Sequence, residues 1–108
     1  MEGLELIAFE IISNVGMAKS LAIEALRAVR SDKYAEGEER LAEAAKYLTE
    51  GHHAHTSLIQ KEAAGEKTEF SLMLMHAEDQ MMSAEVIKSL AEEMIEMYKD
   101  LRKEKVSV

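Results

Sequence analysis

Two residues that can do chemistry, His76 and Asp79, stand three apart inside the methionine- and leucine-rich run "FSLMLMHAEDQMMSAE", residues 70–85. A neutral imidazole is a nucleophile and a metal ligand near pH 7, and a carboxylate one helical turn away can share a divalent ion with it. Three further histidines, His52, His53 and His55, lie in "EGHHAHTSLIQ". An ionised aspartate in an apolar environment is costly unless something pairs with it. Asp79 is therefore either exposed or employed. A lone histidine on an apolar stripe is ordinarily a core residue with one hydrogen bond, whereas several titratable groups in one layer point to a site. Glu50-x-x-His53 has the spacing of a carboxylate-bridged di-iron motif, but that scheme needs a second copy and two more glutamates, and only one copy is present. Phosphate-binding glycine loops and serine elbows are absent, and so short a helical chain offers no enclosed substrate pocket.

These residues must be positioned by helices. The 108 residues contain no proline and five glycines, and Ala, Leu, Glu, Met, Lys and Ile dominate, a composition that favours an all-α fold in one domain. The pattern predicts helices over about 3–30, 33–64 and 68–103, joined by the short connections "RSDKY" and "AAGEKTE" in an antiparallel three-helix hairpin. Asp32 and Thr68 are the expected N-caps of the second and third helices, and the tail "RKEKVSV" is expected to fray.

Apolar residues at i, i+3/i+4 and i+7 define a core-facing stripe on each helix. The first reads Leu4, Ile7, Ile11, Val15, Ala18, Ala22, Ala25, Val29; the second Leu41, Ala45, Leu48, His52, His55, Ile59. The third reads Leu72, His76, Asp79, Ser83, Val86, Leu90, Met94, Met97, Leu101, with Glu78, Glu85, Glu92 and Glu96 on the opposite arc. Folding about the two turns places His55 at the level of His76 and His52 at the level of Asp79. Asn14, His52, His55, His76, Asp79 and Gln80 are then expected to gather in one polar layer. Leu74 and Met81 fall on the charged arc and read as an exposed contact surface of an oligomer protomer. Met73, Met75, Met81 and Met82 read as core or subunit packing rather than a cofactor box.

The formal charge of −8 argues against nucleic acid and against anionic membrane surfaces, while leaving basic protein partners open. With no cysteine there is no disulfide, zinc-thiolate site or cysteine nucleophile. The acidic N-terminal stretch lacks the basic start of a signal peptide, and no apolar stretch is read as reaching membrane-spanning length, so no membrane insertion and a cytoplasmic location are expected.

The motif "HAEDQMM" following "EAAGEKTEFSLML" resembles the phosphorylation motif of the lactose/cellobiose-specific IIA proteins of the bacterial phosphoenolpyruvate:sugar phosphotransferase system, usually H-[AG]-Q-D-H-L-M. "FEIISNVGMAKSLAIEAL", "HHAHTSLIQKEAAGE" and "KSLAEEMIEMYK" resemble the family's first helix, the end of its second and the end of its third, so nearly the whole chain is covered in order. The resemblance implies a homotrimer forming a nine-helix bundle. It implies that His76 is phosphorylated by the carrier HPr and passes the group to a cysteine of the IIB component, while the membrane component IIC transports a disaccharide. Asp79 is then the aspartate that meets its two copies around one divalent cation, typically magnesium, on the trimer axis. His52, His55 and Gln80 are expected to support the phosphoryl site. Two positions depart from the usual motif: Gln80 replaces a second histidine, and Glu78 replaces glutamine. "RSDKY" replaces a glycine-containing turn. Two other readings stand beside the phosphocarrier: a non-catalytic helical metal-binding or scaffold protein built on the same histidine layer, and a regulatory relative that no longer feeds a transporter.

Overall fold

The computed structural model describes residues 3–106. Three helices, α1 (Gly3–Arg30), α2 (Tyr34–Ala63) and α3 (Leu72–Val106), run up, down and up in an all-α rod of 62 × 23 × 19 Å. α1 packs along both other helices, whereas α2 and α3 touch each other much less.

Both connections are closed by the same device. At the end of α1, Asp32 takes a left-handed φ of 62°, its N–H donates to the Val29 carbonyl at 2.9 Å, and the Lys33 N–H donates to the Ala28 carbonyl at 2.9 Å. Gly65 repeats this after α2 with φ 89°: its N–H reaches the Glu62 carbonyl and the Glu66 N–H reaches the Lys61 carbonyl, each at 3.0 Å. These bonds satisfy helix-end carbonyls as a Schellman motif does, and glycine or a short polar residue tolerates the left-handed position. Asp32 thus ends α1 and does not cap α2, whose N-cap is Lys33 without a side-chain bond. Its carboxylate instead accepts from Arg102 Nη2 at 3.1 Å, tying the turn to the far end of α3. Thr68 is likewise not a cap. α3 begins at Leu72, and Ser71 Oγ accepts the Leu74 N–H at 3.0 Å, the bond an N-cap serine makes. The tail expected to fray continues α3 as far as Val106, and Ser107 and Val108 lie outside the described residues.

Most of the α1 stripe is buried as its spacing predicts: Ile11, Val15, Ala18, Ala22, Ala25 and Val29 are enclosed, joined by Ala8 and Leu21, while Leu4 and Ile7 are half-buried. This helix also corrects an expectation, since by length and composition it is apolar enough to cross a membrane. In the bundle its buried face is the shared core against which α2 and α3 pack. On α2 the buried line is Gly37, Ala44, Gly51, Ala54 and Leu58. The expected line is rotated from it, leaving Leu41, Leu48 and His55 at its edge and His52 and Ile59 exposed. The glycines explain the shift, because they let the two helix backbones come close. A Cβ at position 37 would lie 2.5 Å from Val29 Cγ2 and 3.2 Å from the Ala25 carbonyl oxygen; one at position 51 would lie 2.7 Å from Val15 Cγ1.

α3 is where the expectation fails most. Its buried residues are Ala77, Met81, Ala84, Ala91 and Ile95. At 100° per residue that face lies roughly 130° around the helix from the expected stripe. Met81, expected to be exposed, is 3% exposed, and Leu74 packs against the core. Leu72, Val86, Leu90, Met94, Met97 and Leu101, expected to face the core, are 44–77% exposed. Periodicity registers large apolar side chains, and on α3 these lie on the face that the single chain leaves open. The bundle's own core uses small ones. At the other end of the rod, Lys99 Nζ donates to Glu38 Oε1 at 2.7 Å; this hydrogen bond, with the attraction between the two charges, holds Glu38 below the usual carboxylate range and Lys99 above the usual amine range.

The close approach of α1 and α2 gives a direct test. Gly37→Ala should lower the unfolding free energy by about 1–2 kcal/mol through overpacking. Gly16→Ala, where an added Cβ meets nothing within 4 Å, should raise it by about 0.5–1 kcal/mol through reduced chain entropy. Urea unfolding at matched protein concentration measures both.

Candidate functional site

His76 lies on the second turn of α3 and is exposed. Asp79, one turn on, is also exposed and sits on the open apolar stripe between Leu72 and Val86. Among the described residues neither side chain has a hydrogen bond or an ion pair. A helix places residue i+4 beside residue i, with Cβ atoms about 5–6 Å apart, so Gln80 is the neighbour of His76 on the side toward α1. There Lys19 Nζ of α1 donates to Gln80 Oε1 at 2.9 Å.

The expected polar layer does not assemble within one chain. His55 Nδ1 lies 2.7 Å from Glu78 Oε1, and His52 Nε2 lies 2.8 Å from Glu85 Oε1. A carboxylate accepts, so in each pair the ring N–H donates. Glu78 and Glu85, expected on a solvated arc, are the α3 side of the α2–α3 seam. That seam is roughly half a turn of α3 away from His76 at 100° per residue. Asn14 Nδ2 donates to the Glu10 carbonyl of its own helix at 2.8 Å. Within a chain, then, Gln80 neighbours His76, while His52 and His55 stand on the other side of α3. The physical reason is the rotation of α3: with Ala77, Met81 and Ala84 buried against the core, Glu78 and Glu85 turn toward α2, so His55 meets Glu78 while His76 points away.

A groove of about 420 Å³ lies between the end of α2, the connection and the start of α3, lined among others by His55, Leu58, Phe70, Leu74 and Glu78. His76 is not part of its wall. Among the described residues no three of His, Asp and Glu gather around a common point. Glu50 and His53 are both exposed.

Sequence reasoning missed Lys19, Glu78 and Glu85 as partners. For Lys19 there was a signal, since it is the only basic residue among the first 26 and stands on an otherwise apolar and acidic helix. Glu78 and Glu85, seven apart and so on one face, also match His55 and His52 once antiparallel helices are aligned.

Comparison with known proteins settles the class. Residues 6–99 match the family model of the phosphotransferase-system lactose/cellobiose-specific IIA subunit. The chain is 41% identical over 104 residues to the lichenan-specific phosphotransferase enzyme IIA component of Bacillus subtilis (strain 168), covering 96% of this chain and 94% of that one. Its fold superposes with a TM-score of 0.92 on the crystal structure of the cellobiose-specific enzyme IIA of Bacillus anthracis, at 46% identity over 95% of this chain and 94% of that chain. A solution structure of the IIA(Chitobiose)–HPr complex of the Escherichia coli phosphotransferase system gives a TM-score of 0.80 at 31% identity, covering 94% and 99% of the two chains. The chain belongs to the lactose/cellobiose-specific IIA family. It is a IIA component of a sugar-specific phosphotransferase system.

The His55–Glu78 pair is partly shielded, with side chains 28% and 32% exposed. A double-mutant cycle with His55→Ala and Glu78→Ala should give a coupling of about 0.5–1 kcal/mol that shrinks in high salt. Chemical denaturation of the four proteins in low and high salt measures it.

Proposed function

We propose that the chain is a cytoplasmic phosphocarrier that accepts a phosphoryl group from phosphorylated HPr on His76 and gives it to a cysteine of a IIB component, for disaccharide uptake through a membrane IIC component. One observation carries this reading: His76 stands at the matched motif position, exposed and unbonded among the described residues. A histidine that must meet two protein partners in turn needs both properties. The solution structure of the Escherichia coli relative with HPr supports HPr as the donor. In the first transfer a lone pair of a neutral imidazole nitrogen of His76 attacks phosphorus. The new P–N bond forms as the bond to the donor group of HPr breaks, and that group leaves with the bonding pair. In the second, a IIB thiolate attacks the same phosphorus and the P–N electron pair returns to His76. Such transfers depend on positioning and on stabilising charge at the phosphoryl oxygens.

The same proposal includes a homotrimer closed over the open apolar stripe of α3. Exposed apolar side chains over that length are what an obligate interface buries. Asp79 lies within the stripe, so closure about a three-fold axis would bring three carboxylates together in an apolar seam. Like charges in such a place repel strongly, and a hard divalent cation such as magnesium takes oxygen ligands of this kind. The donor set fits one cation per trimer, held by the three copies of Asp79, where it would neutralise their charge and hold the subunits together.

With phosphoenolpyruvate, enzyme I and HPr, the wild type should gain one phosphoryl group per chain, read by intact mass under alkaline conditions because the phosphoramidate is acid-labile. His76→Ala should gain none, and the exposed His53→Ala should label normally. An unlabelled, folded wild type beside a competent control IIA protein would sink the carrier reading. For the cation, EDTA should shift the wild-type trimer toward monomer in sedimentation at low micromolar concentration. Asp79→Asn, which removes the repelling charges, should form a trimer indifferent to EDTA.

A further inference from the structure

We infer that Lys19 is a positioning residue for the phosphoryl group on His76. It holds the carbonyl end of Gln80, so that the amide's NH2 is the end left for the phosphoryl oxygens, and it brings a fixed positive charge to the α1–α3 seam. The inference rests on the phosphocarrier reading above.

Three observations carry it. The first is the contact itself, 2.9 Å between Lys19 Nζ and Gln80 Oε1, joining residues 61 apart in sequence. An ammonium group only donates, so it must take the amide oxygen, and this fixes which way the amide faces. The second is the company Lys19 keeps. The chain has 21 acidic residues against 13 basic ones, and the other α-helical cations with recorded partners, such as Arg40, Lys88, Lys99 and Arg102, sit on carboxylates. Half-buried Lys19 has no carboxylate partner among the described residues, so its charge is not already neutralised. The third is position, since Gln80 is the i+4 neighbour of His76 on an exposed turn.

Phosphorylation adds close to two negative charges and three strong acceptor oxygens. An unneutralised ammonium one residue removed and an amide with its donor end free meet both demands, because charge-assisted hydrogen bonds are the stronger ones. The pair also accounts for glutamine at position 80. A histidine there would supply charge only when protonated, whereas the amide is backed by the ammonium group of Lys19.

The test uses full-length wild type, Lys19→Met, Lys19→Arg and Gln80→Leu, each first shown to be helical and to melt cooperatively. Equilibration with phosphorylated HPr gives the transfer constant, and the phosphorus resonance of the phosphorylated protein followed against pH gives the second ionisation of the phosphoryl group. Lys19→Met should move the transfer equilibrium roughly tenfold toward phosphorylated HPr, the scale of one hydrogen bond to a charged group. It should also raise the pH at which the phosphoryl group loses its last proton. Lys19→Arg should restore both, and Gln80→Leu should shift the equilibrium in the same direction as Lys19→Met. A folded Lys19→Met protein with both readouts unchanged overturns the inference while leaving the carrier reading intact. A changed equilibrium with an unmoved phosphoryl ionisation also overturns it, because Lys19 would then act only on packing. Failure of the wild type to take any label overturns the carrier reading itself.

Discussion

The structure depends on α3 carrying two apolar faces when the chain has only one core to offer. One face, Ala77, Met81, Ala84, Ala91 and Ile95, is small enough to lie close to α1 and is spent inside the bundle. The other, from Leu72 to Leu101, holds the larger side chains and remains open. Burying an aliphatic side chain is worth about 1.5–3 kcal/mol, so a row of such residues left in water is a large unused driving force. In the proposed homotrimer that force drives assembly, and Asp79, between Leu72 and Val86 on the same face, sets a condition on it: its charge must be neutralised when the face closes.

The small residues do a second job. Gly37 and Gly51 bring α2 onto α1 at contact distance, and the alanines of α1 admit α3 on its other side. Helices packed this closely have little freedom to slide, because each side chain occupies a fixed gap opposite. Register is what the site needs. Lys19 reaches Gln80, His55 reaches Glu78 and His52 reaches Glu85 only while the three helices keep their present offsets. The turns hold those offsets at the ends, with Arg102 clasping Asp32 and Gly65 reversing the chain after α2.

Much of the fold was legible because it is written in local terms. The absence of proline and the long amphipathic runs point to three helices, and on α1 the stripe from Ile11 to Val29 is the face its own chain buries. α3 was misread for a definite reason. Hydrophobic periodicity does not tell which of two apolar faces the chain itself encloses, and the larger side chains of α3 outweigh the alanines that form its internal face. His76 and Asp79 were legible as chemistry through motif and spacing, and their surroundings were not. The partners of His52 and His55 depend on which face α3 turns to α2, and that is set by alanines that carry little weight in a hydrophobic pattern. Lys19 lies 61 residues from Gln80, a pairing that only tertiary register reveals.

The two departures from the usual motif have different consequences in this light. Glu78 faces α2, where His55 donates to it, so a carboxylate in place of glutamine strengthens a seam on the far side of the helix from His76. Gln80 faces α1 and lies beside His76, so on the proposed carrier reading its replacement of histidine changes the charge near the phosphoryl group. A site that must accept a group from one protein and release it to another cannot hold that group too tightly, since binding the phosphorylated state strongly would slow the second transfer as much as it favours the first. A neutral amide backed by a cation one bond further away is a moderate arrangement. It offers a donor at contact distance and keeps the full charge in the next layer, where attraction persists but is weaker.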